Sequence, residues 1–121
     1  MNKKKILCFD LDNTICKTIG SNYKNSKPKK KVLKIINKLY EEGYIIKIYT
    51  ARYMGRNSDD KKKIKKSDKE FTTNQIKKWK LKFHKIIFGK PSFDIIFDDK
   101  SYNFNNKWLS YINDKFLTKS K

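Results

Sequence analysis

Apolar residues in this chain fall into short blocks, and the spacing inside each block decides which element it predicts. Ile6-Leu7-Cys8-Phe9 runs into Asp10-Leu11-Asp12-Asn13-Thr14, a buried-strand pattern over residues 5–10 that breaks into acids. Cys8, alternating with Asp10, reads as a small buried apolar residue. Val32, Leu33, Ile35, Ile36, Leu39 and Tyr40 recur at helical spacing and Gly43 stands where a C-cap belongs, so an amphipathic helix is expected over residues 31–42. Residues 44–50 are β-branched and aromatic-rich and read as a second strand. Residues 15–30 form a polar loop, and residues 51–70, Lys-rich and without period, a flexible one. Thr72 or Thr73 is placed to cap a helix running to Leu81, with Ile76, Trp79 and Lys80 spanning one face. Residues 85–88 and 93–97 are short apolar runs divided by Gly89-Lys90-Pro91-Ser92, and Trp108, Leu109, Tyr111, Ile112 and Phe116 suggest a closing helix.

Strands alternating with helices imply an α/β fold with a doubly wound parallel sheet. At 121 residues the chain is one domain, 1–121, with room for helices on both faces of a sheet and none for a second core. In such sheets ligands bind in the crevice beyond the carboxyl ends of the strands. Asp10, Asp12, Asp98 and Asp99 all stand at such ends. Carboxylates converging there repel one another unless a cation shares the site, and an oxygen-only set suits Mg²⁺, which leans on substrate phosphate. Phosphoryl transfer needs a nucleophile, a proton carrier and cations on the phosphoryl oxygens. Asp10 fits the first role, Asp12 the second, and Thr50 and Lys90 would hold the oxygens.

Charge changes this picture little. The formal net charge is +19, which invites a nucleic-acid partner, yet of 31 basic residues all but Arg52 and Arg56 are lysines. Lys, Asn and Ile are all abundant and share A/T-rich codons, so base composition accounts for much of the bias. The runs at 3–5, 27–31 and 61–66 read as solvated faces that would still attract anions. His84 reads as a surface residue, and Trp79 and Trp108 as core residues. Cys8 and Cys16 are too few for a disulfide framework, no stretch reaches membrane-spanning length, and the Lys-rich start precedes a run too short for a signal peptide; a cytoplasmic setting is expected.

The chain resembles the haloacid dehalogenase superfamily of phosphatases. The first motif is matched by Asp10-Leu11-Asp12-Asn13-Thr14, the second by Thr50, the third by Lys90 and the fourth by Asp98-Asp99, in the family's order across residues 5–100. The resemblance implies a three-layer Rossmann-like sheet, Asp10 as nucleophile and metal ligand, the Asp12 backbone carbonyl as a further ligand, and Asp99 in direct contact with Mg²⁺ with Asp98 acting through water. Substrate contacts are expected from Asn13, Thr14, Ala51 and Arg52. An acid at Asp12 matches phosphatases and phosphomutases rather than dehalogenases or transport ATPases. Neither interval between motifs has space for a cap domain.

More closely, Thr50-Ala51-Arg52-Tyr53-Met54, Phe88-Gly89-Lys90-Pro91 and Phe97-Asp98-Asp99-Lys100-Ser101 look like the small capless phosphatases of capsule and polysaccharide biosynthesis. A small sugar phosphate is therefore the expected partner. The alternatives are a nucleic-acid end phosphatase, suited to an open site and basic surface, and a non-catalytic binding module, against which the intact motif set argues. Specificity is expected in loops 15–30 and 51–70 or in a neighbouring subunit of a homo-oligomer.

Overall fold

The computed structural model describes residues 5–91, 93–95, 97–98 and 100–117. Three parallel strands, β1 (Ile6–Asp10), β4 (Ile45–Thr50) and β5 (Lys85–Phe88), form one sheet in that order. Helix α1 (Lys30–Glu41) connects the first pair and α2 (Lys66–Lys78) the second. Between β1 and α1 lies a two-stranded antiparallel ribbon, β2 (Cys16–Lys17) with β3 (Lys27–Pro28). A short α3 (Trp108–Ile112) runs into a wider helical turn over Asn113–Leu117. No helix among the described residues is long and apolar enough to cross a membrane.

Periodicity is realised most directly in α1 and β4. Val32, Leu33, Ile36 and Leu39 of α1 are buried, each contributing about 1.5–3 kcal/mol when fully removed from water. Gly43 follows with φ 100°, a left-handed conformation that costs glycine little, and its N–H reaches the Tyr40 carbonyl at 3.1 Å. In β4, Ile46, Ile48 and Thr50 are buried and the alternate residues half-buried, as suits a strand with a neighbour on each side. The closing segment is fastened to the start of β4: the Tyr44 hydroxyl donates to the Phe116 carbonyl at 3.1 Å.

Four expectations are corrected. Cys8 is exposed, not buried, because β1 puts Phe9 against the core and turns Ile6 (55% exposed) and Cys8 the other way. Residues 51–70 are not one aperiodic loop: two short 3₁₀ turns, Gly55–Asn57 and Lys61–Lys63, lead into α2 at Lys66. Ile64 anchors this stretch beside Tyr53, Met54 and Phe88, and one buried isoleucine among lysines leaves no period to read. Helix α2 therefore starts six residues before Thr72, with Asp68 in its first turn complementing the helix dipole; Thr72 is fully buried inside it. Residues 93–97 form no strand where they are described: Ile95 is 72% and Phe97 92% exposed. β propensity needs a partner strand to be expressed, and among the described residues β1 pairs with β4 alone.

His84 has a structural role that its position among lysines conceals. Its backbone N–H donates to the Ile46 carbonyl at 2.9 Å, its Nδ1 accepts the Ile46 N–H at 3.0 Å, and its ring stacks on Tyr40 at 4.5 Å. The imidazole thus extends the β4–β5 ladder by one rung. His84→Phe keeps a ring for stacking but orphans the Ile46 N–H, so urea unfolding should show a loss of about 1–3 kcal/mol. An unchanged midpoint would mean that the acceptor contributes nothing.

Candidate active site

The register of the sheet decides what meets at its carboxyl end. Asp10 lies opposite Tyr49 and Thr50 opposite Phe88, so the last residues of the three strands stand side by side. Beyond β1 the chain folds into a tight turn: the Leu11 carbonyl accepts the N–H groups of Thr14, Ile15 and Cys16 at 2.9–3.3 Å, while Leu11 and Ile15 are fully buried. Asn13 takes the left-handed conformation (φ 65°) that asparagine tolerates. The turn carries Thr14 back onto Asp10, its hydroxyl donating to Oδ2 at 3.1 Å.

Beyond β5, Gly89 (φ 111°) redirects the chain, and a Cβ there would meet the Lys61 side chain at 2.8 Å. Lys61 is thus not merely solvated: its aliphatic stem lies against the turn. The Lys90 N–H is tied to the Thr50 carbonyl at 3.1 Å, and its Nζ donates to Asp10 Oδ1 at 2.9 Å. Asp10 is left 35% exposed.

Asp12 has a different partner. Its carboxylate meets the Arg52 guanidinium at 2.9 Å, through Nε and Nη2, and Oδ1 also accepts the Thr18 hydroxyl at 2.6 Å. Arg52 Nη1 donates to Thr72 Oγ1 (3.1 Å) and Gln75 Oε1 (2.7 Å), and Nη2 also reaches Ser26 Oγ (3.2 Å). All five N–H donors of the guanidinium are thereby used. Tyr23 covers it, with its ring centroid 4.5 Å from the guanidinium carbon. Burial disfavours the charged form of Arg52, but the Asp12 hydrogen bonds and charge outweigh this and raise its pKa.

A sharp bend after β4 makes the Arg52 contacts geometrically available. The Thr50 hydroxyl accepts the Arg52 N–H at 3.1 Å, and buried Tyr53 is held at φ 71°, costly for a bulky residue, by its hydroxyl contact with Thr72 at 2.9 Å. The Cys16 thiol touches Asp12 Oδ1 at 3.5 Å; burial raises its pKa and the Thr18 contact offsets this only in part, so it stays neutral.

Asp10, Asp12, Ala51 and Arg52 line one cavity of about 380 Å³, together with Tyr23 and Arg56. The expected roles now divide. Asp10 is contacted by both Thr14 and Lys90, one on each carboxylate oxygen. Thr50 is buried under the bend it shapes, and the side-chain oxygen of Asn13 accepts the Thr18 N–H. Arg52 has no N–H left for a substrate and holds Asp12 instead. The sequence reading missed Thr18, Ser26, Thr72 and Gln75, ordinary polar residues in no motif.

The described residues hold part of the oxygen set expected for Mg²⁺. Asp10 and Asp12 stand together at the end of β1, but Asp98 is exposed and its Oδ1 accepts the Lys100 N–H at 3.0 Å in a local turn. Asp99 lies outside the described residues, among which no three His, Cys, Asp or Glu side chains gather to hold an ion. Asp10 and the Asp12 backbone carbonyl offer oxygens of the kind a hard ion takes, and Mg²⁺ is commonly bound through one or two carboxylates while keeping several waters.

No protein-family model and no curated protein matches this chain. A crystal structure of an MCSG target from Vibrio cholerae shares its fold with a TM-score of 0.74 and 25% identity, over 92% of this chain and 98% of that one. Two structures of the Pnkp1/Rnl/Hen1 complex, one described as an RNA repair complex, match with a TM-score of 0.54 and 14% identity. That alignment covers 95% of this chain but 35% and 32% of the matched chains, and it shows a likeness of fold.

The Asp12–Arg52 pair is open to a direct test. Arg52→Met should cost about 3 kcal/mol in chemical unfolding, since removing one partner of a buried pair strands the other. Arg52→Met with Asp12→Leu should recover part of that loss. A double-mutant cycle without coupling would contradict the central role given to this pair.

Proposed function

We propose that this chain is a phosphomonoesterase of haloacid dehalogenase type, with a capless doubly wound fold, acting through an aspartyl-phosphate on Asp10. The observation that carries the reading is the meeting of Asp10, Thr14 and Lys90 beyond three adjacent parallel strands, where this class of sheet binds ligands. Lys90 has a flexible stem and, among the described residues, one carboxylate contact, so its ammonium can move from Asp10 to an incoming phosphoryl oxygen. An Asp10 oxygen then attacks phosphorus as the ester bond breaks, and the leaving oxygen takes a proton that Asp12 has first drawn from solvent. Water attacks the acyl phosphate, returning a proton to Asp12 and releasing Asp10 and phosphate. Asp12 Oδ2 accepts from Arg52 alone, at 2.9 Å, whereas Oδ1 carries several contacts; Oδ2 is the oxygen suited to proton traffic. Mg²⁺, held by Asp10 and the Asp12 carbonyl, would add charge for the phosphoryl oxygens.

A compact sugar phosphate is the favoured substrate, because the 380 Å³ cavity lies near the lower end of ligand pockets, about 300–1,000 Å³. A polynucleotide end is the second reading, supported by the net charge of +19. Salt separates them: oligonucleotide binding should fall steeply between 50 and 200 mM salt, by about 10³-fold or more if six or more phosphates are contacted.

Asp10→Asn should lower turnover of phosphomonoesters by about 10³-fold or more, as removal of an essential nucleophile does. Near wild-type turnover would rule out the covalent route. EDTA should abolish activity and Mg²⁺ restore it. Full activity after exhaustive chelation would mean that Lys90 suffices to neutralise Asp10.

A further inference from the structure

In a chain whose basic residues are otherwise all lysine, both arginines line the cavity that holds Asp10 and Asp12. Their situations are opposite. Arg52 is buried with every donor engaged, whereas Arg56 is 54% exposed at the cavity wall. Its guanidinium lies over the Tyr53 ring at 5.1 Å and meets Asp68 through Nη1 at 3.4 Å. An exposed pair at that distance is worth little and is readily displaced by a better anion. The aromatic contact meanwhile limits where the guanidinium can go. The cavity has open space at its wall, since a Cβ on Gly20, another lining residue, would meet nothing within 4 Å.

We propose that Arg56 is a second-anion subsite, and that the substrate is a small molecule carrying, besides the phosphomonoester presented to Asp10, another phosphate or carboxylate received by the Arg56 guanidinium in place of Asp68. The inference rests on the phosphomonoesterase reading and adds the substrate class. A planar fork matches two anionic oxygens at once, which a lysine ammonium does not. The cavity volume suits a compact molecule that carries both groups.

Two probes that differ by one phosphate test this: glucose 1-phosphate and glucose 1,6-bisphosphate, titrated calorimetrically into Asp10→Asn protein so that neither is consumed. The bisphosphate should bind about 10-fold or more tightly, the yield of one charge-assisted pair. Adding Arg56→Gln should bring the ratio of the two affinities close to one, and Arg56→Lys should restore it only in part. Asp68→Asn, which removes the competing carboxylate, should raise the ratio. kcat/KM in otherwise wild-type protein should follow the same order.

Equal affinity of the Asp10→Asn protein for both probes would overturn the proposal, as would a loss with Arg56→Gln that is the same for both, since that would make Arg56 a structural support. An effect of Arg56→Gln seen only with a 3′-phosphorylated oligonucleotide would also overturn it. If monophosphates are hydrolysed but show no disadvantage against bisphosphates, the subsite alone falls. If nothing with a phosphomonoester binds or reacts, the role of Asp10 falls with it.

Discussion

The carboxyl end of this sheet is organised around one buried guanidinium. Taking Arg52 out of water costs several kcal/mol unless its charge and all its N–H groups find partners, and partners come from the turn after β1, from the Thr18–Ser26 region of the ribbon, and from α2. The apolar core reaches each of them through only a few side chains, Leu11 and Ile15 in the turn, Cys16 in the ribbon and Ile76 in α2. A ribbon of two paired residues per strand is marginal alone, and α2 buries only Thr72 and Ile76. The apolar core joins α1, β1 and β4 well enough without help. It says little about where Asp12 points. That information resides in the polar network, which ties residues 12, 26, 72 and 75 to residue 52 and converges on a carboxylate.

This division explains what could be read from sequence. α1 and β4 were legible because their burial is periodic and local, β1 and β5 as short apolar runs, and the boundaries of all four fall within a residue or two of those expected. The acids of the first motif, Thr50 and Lys90 were legible as strand-end residues, and three strand ends do meet. The Arg52 network was not, since its bonds join positions 20 to 40 residues apart and each partner alone is an ordinary Thr, Ser or Gln. The stretch 51–70 hid its order for a related reason: one buried Ile64 and two single-turn 3₁₀ segments satisfy its backbone without producing a repeat. Residues 93–97 differ in the opposite sense, reading as a strand on local propensity while those of them that are described pair with no strand.

Composition matters at the site through a contrast between two cations. Lysine covers the surface, supplying a diffuse positive field that draws any anion toward the chain without choosing among them. Arginine occurs where oriented donors are needed: Arg52 forks onto Asp12 and Arg56 stands over Tyr53. Net charge therefore bears on encounter, and the two guanidinium groups bear on geometry.

The same contrast distinguishes two aspartates that are chemically identical and two residues apart. Asp10 faces an ammonium on a flexible stem, partly open to water, in a contact that can break without unfolding anything. Asp12 faces a guanidinium with no exposed side-chain surface, fixed by bonds to three further side chains, so departure of its carboxylate would strand a buried charge. A nucleophile has to approach phosphorus and a proton carrier has to stay in register with the leaving oxygen. The mobile partner is on Asp10 and the rigid one on Asp12, the assignment that the proposed reaction requires.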